Sequence, residues 1–238
     1  MAHHSVSQRL HDSLGQLIAA TEPGKRLPSE PELAKQLGVS RATLREAMRT
    51  FETQGMIRRK QGSGTYVTHP SGVIESGLEV LESIETLAQR IGLPVTMGEL
   101  KVEQRQSSAD EANALNLENG AEIVQVSRVI LAEERPVAYL VDTLPDNILS
   151  LEDLQEGFTG SVLDTLLQRG TPVLLTSRTE INAVPAPADI ARLLGIQRGD
   201  VLLRFIAFLY ATSGQIIDYS FSYFLPGYFR FHVVRRVG

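Results

Sequence analysis

The sequence predicts an α+β protein in two parts, a three-helix unit with a β-hairpin followed by an extended antiparallel sheet with helices. Apolar residues recur at helical spacing in three successive segments of the first 55 residues, and β-prone runs dominate from about residue 95. Charge divides in the same way, because residues 1–70 carry ten Lys and Arg against six Asp and Glu, and the remainder thirteen against twenty-two. This asymmetry hides inside a formal net charge of -5 and indicates a nucleic-acid-facing module joined to something else.

Composition excludes several function classes. The 238 residues include no cysteine, which excludes disulfides, thiolate zinc sites and cysteine nucleophiles. The five histidines show no metal-ligand spacing apart from an N-terminal pair, so we expect neither a metal nor a cofactor. The N-terminus lacks the apolar core of a signal peptide, and no apolar run approaches the ~20 residues of a membrane-spanning helix. We therefore expect a cytoplasmic protein.

The first two helices have clear boundaries. One apolar stripe defines the first helix, formed by Leu10, Leu14, Leu17 and Ile18. Breakers at 21–24 end it. Ser29 and Glu32 form a predicted capping box at the start of the second helix, and Gly38 fits its C-terminus, where a left-handed residue is needed.

The third helix, over 41–54, carries two stripes. The apolar stripe consists of Leu44, Ala47, Met48 and Phe51. The second stripe, centred roughly 110° away at 100° per residue, consists of Arg41, Arg45 and Arg49. A solvated charged face is the alternative interpretation, but only Glu46 and Glu52 balance the arginines. The helix therefore directs a row of cations away from the core.

A basic hairpin follows over 56–67. Two β-prone runs flank a Gly-Ser-Gly tip, and Arg58, Arg59 and Lys60 lead into it. Within residues 40–69 six cations face two anions, which accounts for the whole basic surplus of the first part. Three helices and a hairpin in this order are typical of a winged helix-turn-helix, whose third helix enters a major groove of DNA.

The stretch LPSEPELAKQLGVSRATLREAMRTFETQGMIRRKQGSGTYV resembles the DNA-binding signature of GntR-type bacterial transcriptional regulators. The resemblance implies base and phosphate contacts from arginines, from hydroxyls and from wing residues. With the basic stripe and wing, the residues that we expect to contact DNA are Ser40, Arg41, Thr43, Arg45, Arg49, Lys60, Gln61 and Gly62. Pro31 stands where the family usually has an arginine, which implies one contact fewer and an altered operator preference.

The remainder reads as linker and second domain. We predict a winged helix over 1–70, a linker helix region over 71–94 with one helix at 74–90, and an effector-binding and dimerisation domain over 95–238. The sequence leaves open whether that helix belongs to the linker or to the second domain. Further strands are predicted at 123–130, 136–144, 172–184, 201–210 and 216–225, and further helices at 108–117, 150–169 and 187–194.

The second part contains an internal duplication. The pattern Ala-Asp-x-Ala-x-x-Leu-x-Leu-x-x-Gly at 109–120 returns at 188–199 with one conservative change. Each copy precedes two strands joined by a turn, and each second strand ends in Leu-Pro. Common helix-strand patterning is the alternative, but the number of matches favours a duplicated unit. Two copies facing each other would create a crevice.

This half resembles the UTRA effector-binding domain of the HutC branch of GntR regulators, which implies a chorismate-lyase-like fold and a small-metabolite ligand. Arg128 matches the first arginine of the domain's Arg-x-Arg, whose second position is Ile130 here. Gly160 and Ser161 match a Gly-Ser-x-Tyr motif that here lacks the tyrosine, and Asp218 stands in place of a glutamate. The usual Arg-Gly-Asp after it is absent. The effector-binding candidates are Arg128, Asp142, Ser161, Asp218, Ser220 and Tyr223.

The departures favour a particular effector chemistry. A phosphate needs charge-assisted and preferably bidentate donors, and an arginine and a phenol are missing. The remaining donors suit a carboxylate, while Asp218 with Ser220 suits hydroxyls or an amine. We therefore expect a small polar effector other than the phosphorylated sugars that typical relatives bind.

The sequence thus predicts a ligand-responsive repressor that binds a near-palindromic operator in double-stranded DNA as a homodimer. An enzyme is the first alternative, since the second fold resembles a lyase. Residues 95–238 hold one histidine and no evident nucleophile-base pair, which argues against turnover. A DNA-binding scaffold that has lost its ligand is the second alternative.

Overall fold

The computed structural model describes residues 6–53, 55–60, 63–68, 74–155, 158, 160–235 and 237. Its contacts divide the chain into two compact units, one of residues up to 73 together with 226–228, and one of the remaining residues. The predicted boundary at residues 70 and 71 lies outside the described residues and stays a prediction. Across the described ranges, no helix combines the length and the apolar character that crossing a membrane requires.

The first unit consists of three helices and a hairpin, as predicted. The helices are α1 (Val6–Ala20), α2 (Glu30–Leu37) and α3 (Arg41–Thr53), and the strands are β1 (Ile57–Lys60) and β2 (Gly64–Val67). The two strands pair antiparallel, from Ile57 opposite Val67 to Lys60 opposite Gly64. Gly38 adopts the predicted left-handed conformation at the end of α2, with φ of 63°.

The apolar stripes of the three helices meet in one core. Its fully buried members include Leu14, Leu33, Leu44, Met48 and Ile57. Burying each of these side chains stabilises the unit by roughly 1.5–3 kcal/mol relative to exposure, so the core fixes which face of α3 remains outside. The apolar stripe predicted for the third helix is therefore confirmed.

The second unit is a six-stranded antiparallel sheet with flanking helices. The elements in chain order are β3 (Ile74–Gly77), α4 (Ile84–Arg90), β4 (Val95–Gln106), α5 (Ala109–Leu115), β5 (Glu122–Ala132), β6 (Arg135–Pro145), α6 (Leu151–Gln155), α7 (Val162–Arg169), β7 (Leu174–Pro185), α8 (Ala188–Leu193), β8 (Val201–Ala211), β9 (Ile216–Phe224) and β10 (Phe229–His232). The sheet order is β4-β5-β6-β9-β8-β7, and β3 pairs separately with β10 in parallel.

The predicted duplication is confirmed, and it is larger than the sequence pattern indicated. Both bounds of β7 and of β8 lie 79 positions after those of β4 and β5, and α8 begins 79 positions after α5. In addition, α4 precedes β4 as α7 precedes β7. The copies do not face each other across a crevice, because β6 pairs with β9 and joins both copies into one continuous sheet.

Two predicted helices have different bounds. Residues 74–77 form β3 instead of helix because they pair with β10, and α4 begins only after Ser83, whose hydroxyl accepts a hydrogen bond from the Thr86 amide. The predicted helix at 150–169 is two helices, since Ser161 is a second N-cap that starts α7. The sequence analysis missed β4, whose many exposed polar residues weaken the alternation.

The two faces of the sheet have different covers. Val124, Val126 and Leu144 pack with Val162 and Leu166 of α7 into one core. Successive residues of a regular strand point to opposite faces, so Tyr219, Phe221 and Tyr223 of β9 lie on the other side. There the tyrosines of β9 lie within electrostatic range of acidic residues at the starts of α5 and α8.

Candidate functional site

The N-terminus of α3 is the first candidate region. Its N-cap is Ser40, whose Oγ accepts a hydrogen bond of 3.1 Å from the backbone N of Thr43. The two hydroxyl oxygens lie 2.8 Å apart and both residues are exposed. The cap thus holds two predicted DNA-contacting hydroxyls together at the first turn of the helix.

The three arginines of α3 lie outside its buried stripe, as the pattern predicts. Arg41 is exposed, and the Arg45 side chain is 57% exposed. Arg45 Nε donates a hydrogen bond of 2.6 Å to Glu30 Oε2 at the start of α2. Arg49 pairs with Glu46 at 3.1 Å. The row therefore combines exposed guanidinium groups with acidic partners that orient two of them.

Arg59 of the hairpin contacts the helices. Its Nε lies 3.3 Å from Glu52 Oε2, and one of its terminal nitrogens donates a hydrogen bond of 3.2 Å to the carbonyl oxygen of Arg45. Another terminal nitrogen lies 4.0 Å from Glu30 Oε1. The predicted run of three wing cations therefore includes one whose charge ties β1 to α2 and α3.

For three of the predicted DNA-binding residues, the structure describes no side-chain position. Gln61 and Gly62 lie outside the described residues. Lys60 ends β1, and only its backbone belongs to the described part. Their roles at the tip of the wing stay predictions.

The second candidate region is a buried group of charged residues in the sheet. The Arg128 side chain on β5 is 5% exposed and pairs through Nη1 with Asp142 Oδ2 on β6. Its Nε lies 3.8 Å from Glu85 Oε1 on α4. Burial raises the pKa of Glu85, which the nearby Arg128 guanidinium partly offsets. Arg128 is thus a buried ion-pair partner and no surface cation.

Asp218 of β9 joins this group. Its Oδ1 accepts a hydrogen bond of 3.0 Å from the backbone N of Thr143, and Ser220 donates a side-chain hydrogen bond to its carboxylate. Burial is the main cause that raises the pKa of Asp218 well above its usual value, and neighbouring Asp142 adds to it. Asp142 stands directly opposite Ser220 between β6 and β9. Four of the six predicted effector residues therefore lie together.

Ser161 approaches the group through the start of α7. Its Oγ accepts a hydrogen bond of 3.1 Å from the backbone N of Asp164, and the Asp164 carboxylate accepts one of 2.6 Å from Ser83 Oγ at the start of α4. A methyl group at neighbouring Gly160 would lie 4.0 Å from Glu85 Oε1. The N-termini of the two equivalent helices thus meet beside the buried charges.

Tyr223 is the exception among the predicted effector residues, because it lies on the other face of the sheet, and its role stays a prediction. It stands opposite Tyr139 on β6 and Arg204 on β8. Along β9 it alternates with the residues that share the face of Ser220 and Asp218. Its ring stacks on Tyr139, and burial raises its pKa. Because alternate residues face opposite sides, Tyr223 lies on the face away from Arg128.

Sequence reasoning missed Glu85 and Asp164. Glu85 falls on the apolar side of the predicted helix at 74–90, and an acid in that position was a signal of a buried partner. Asp164 follows Ser161 by three residues, where a capping partner is expected, and its contact with Ser83 across 81 residues of chain left no signal. We call Glu85, Arg128, Asp142, Asp164 and Asp218 the charged cluster.

Comparison with known families assigns both units. Residues 6–67 match the family described as bacterial regulatory proteins, gntR family, and residues 91–230 match the UTRA domain. The second match alone covers more than half of the chain.

Individual relatives are similar over most of their length. The chain is 27% identical over 202 residues to the HTH-type transcriptional repressor NagR of Bacillus subtilis (strain 168), covering 84% of this chain and 82% of that protein. It is 29% identical over 182 residues to a histidine utilization repressor of Pseudomonas putida, covering 76% and 71%. The crystal structure of PhnF from Mycobacterium smegmatis has a similar fold, with a TM-score of 0.64 and 22% identity over 96% of this chain and 100% of that one.

Proposed function

Because this chain belongs to the UTRA-domain regulators of the bacterial gntR family, we propose that it is a repressor whose operator affinity is controlled by a small polar metabolite. Regulators of this family bind DNA through the helix-turn-helix and an effector through the UTRA domain. Two of these relatives are named as repressors, one of histidine utilisation and one called NagR. We infer that this chain likewise governs genes that use a small metabolite.

The observation that carries the DNA-binding proposal is the exposed, capped N-terminus of α3. Ser40 and Thr43 lie at its first turn, Arg45 projects one turn later, and their residue types match direct readout in a major groove. Arginine forms bidentate contacts with guanine, and hydroxyls contact phosphates or bases. The neighbouring hairpin, with Arg58 and Lys60, supplies cations for the backbone.

The experiment that tests this proposal begins with a DNA site selected by the full-length protein from a randomised pool. Fluorescence anisotropy then compares wild type with Arg45→Ala on the selected site and on scrambled DNA. We expect Arg45→Ala to cost roughly 1–3 kcal/mol on the selected site and to relax preference at one position. Arg198→Ala, an exposed cation of the second unit, is the matched control. Equal affinity of wild type and Arg45→Ala for the selected site would refute the groove placement.

The operator proposed here is near-palindromic because the protein is proposed to act as a homodimer with two recognition helices. The edge strand β7 supports self-association, since Leu175 and Ile181 are exposed on it. Sedimentation should give twice the 26.2 kDa chain mass at micromolar concentration. A selected site without inverted half-sites, together with a monomeric protein, would contradict the dimer.

The effector site proposed here is the charged cluster together with Ser161 and Ser220. These groups offer hydrogen-bond donors and acceptors beneath two helix N-termini. A bound effector raises the melting temperature of the folded protein, which separates a ligand-responsive repressor from a DNA-binding scaffold without ligand. The same effector should change operator affinity, since binding linkage is reciprocal.

A further inference from the structure

The charged cluster holds more carboxyl groups than cations. The charged groups that act on Glu85 are Arg128, Asp164 and Asp142, and those that act on Asp218 are Asp142 and Arg128. The charged cluster therefore contains one guanidinium and four carboxyl groups.

The cluster also contains buried polar atoms without partners. Among the residues that the structure describes, Arg128 Nε and both carboxylate oxygens of Glu85 are buried and make no hydrogen bond. The 3.8 Å between Arg128 Nε and Glu85 Oε1 is too long for a direct hydrogen bond. A ligand hydroxyl placed beside the two groups could accept from the guanidinium and donate to the carboxylate, which would satisfy both.

We propose that the effector is a cationic molecule that carries hydroxyl groups, of the amino-sugar or amino-alcohol class, and that it carries no phosphate. This inference rests on the proposed effector site. The ammonium group balances the excess carboxylates through charge-assisted hydrogen bonds, and a hydroxyl beside Glu85 and Arg128 hydrogen-bonds to both. A phosphate would bring about two further negative charges to a guanidinium that already pairs with Asp142.

The raised pKa values of two carboxyl groups in the charged cluster predict how the binding of a cationic effector depends on pH. Burial raises the pKa values of Glu85 and Asp218, so both hold protons over a wider pH range than exposed carboxyl groups. A bound cation favours their ionised forms, and its binding therefore releases protons. Affinity for a cationic effector should accordingly rise as the pH increases, because the free-energy cost of deprotonating Glu85 and Asp218 on binding then falls.

The experiment uses matched probes on the full-length protein. The probes are glucosamine, galactosamine and mannosamine, each compared with the hexose that lacks the amine and with the 6-phosphate of the amine. Thermal-shift measurements at 1 mM should show stabilisation by at least one amine. Calorimetry should then give an affinity about tenfold tighter for that amine than for its hexose or its phosphate.

Variants test the groups that carry the proposal. Glu85→Gln and Asp218→Asn keep side-chain size and should each weaken the amine about tenfold and reduce proton release, measured by calorimetry in two buffers of different ionisation enthalpy. Glu122→Gln, an exposed acid at the far end of β5, should leave both unchanged. If a variant unfolds, the proton release and the pH dependence of binding in wild type still test whether the effector is cationic.

The contrary outcomes are distinct. Equal or tighter binding of a phosphate ester, equal binding of a hexose, or no stabilisation by any of the three amines would overturn the cationic effector. If DNA binding of the selected site persists in that case, the regulator proposal stands. If the protein selects no DNA site, the proposed function fails, while amine binding with proton release would still support the cationic ligand.

Discussion

The two units use charge in opposite ways. In the first unit the arginines of α3 and the hairpin lie at the surface and meet their acidic partners there, as Arg45 meets Glu30. In the second unit Arg128 and Asp218 are almost completely buried. Exposed pairs contribute little to stability but leave guanidinium groups available for DNA. Buried charges are costly alone and need every partner, which suits recognition of one particular ligand.

The largest expected effect is on the free energy of unfolding, through the buried ion pairs of the second unit. Arg128→Ala should lower the free energy of unfolding by about 3–5 kcal/mol, because it leaves Asp142 and Glu85 buried without a cation. Arg178→Ala, whose side chain is 68% exposed in its pair with Glu180, should change it by less than about 1 kcal/mol. Urea denaturation measures both. Similar values for the two variants would remove the contrast between buried and exposed pairs.

A smaller effect is expected at the surface, on DNA specificity. Glu30→Ala removes the acceptor that Arg45 Nε uses and the nearby partner of Arg59. The difference in binding free energy between selected and scrambled DNA should fall by about 1 kcal/mol. A mobile Arg45 contacts its base less well, and the loss of a negative charge strengthens binding to any DNA sequence. Glu32→Ala, which removes the capping interaction with Ser29 on the same helix, is the control. An unchanged ratio for Glu30→Ala would show that Arg45 needs no positioning.

The wing is expected to act without sequence preference. Lys60→Ala should weaken selected and scrambled DNA about equally and reduce the slope of log affinity against log salt by about one, because one phosphate contact is lost. Anisotropy titrations between 50 and 200 mM salt measure the slope. A loss confined to the selected site would instead assign Lys60 to base readout.

The smallest effect concerns a partly exposed pair in the second unit. Arg105 and the Ser108 cap hold the pKa of Glu111 at about 2. A lowered pKa stabilises the folded protein above the ordinary pKa of a glutamate, and this contribution disappears as the pH falls from about 5 toward 2. The loss of melting temperature between pH 6 and pH 3 should therefore be smaller in Arg105→Gln than in wild type. An identical loss of melting temperature in both proteins would contradict this assignment.

Local patterns were enough to predict the first unit. Its three helices and hairpin follow from short-range signals, such as the Ser29 and Glu32 pair and the stripe that contains Leu44 and Met48. The predicted exposure of the arginines on α3 followed from the same periodicity. The role of Arg59 could not be predicted, because its partners lie on two other elements.

The second unit was only partly predictable. The sequence pattern that repeats after 79 residues revealed the duplication. In contrast, β3 was predicted as helix because its strand pairing with β10 involves residues about 155 positions away. Arg128, Asp142, Asp218 and Ser220 were predicted to share a site, whereas Tyr223 was placed there without regard to strand phase. Glu85 and Asp164 enter through helix packing, which periodicity alone does not reveal.

The duplicated sheet also determines a stoichiometry. Seventy-nine positions after Arg128 stands Ala207, so the second half has the same strands without the guanidinium on which the cluster depends. The backbone offers two equivalent places, and the side chains give only one of them a guanidinium at this position. A titration should therefore end at one effector per chain, although the fold has two halves.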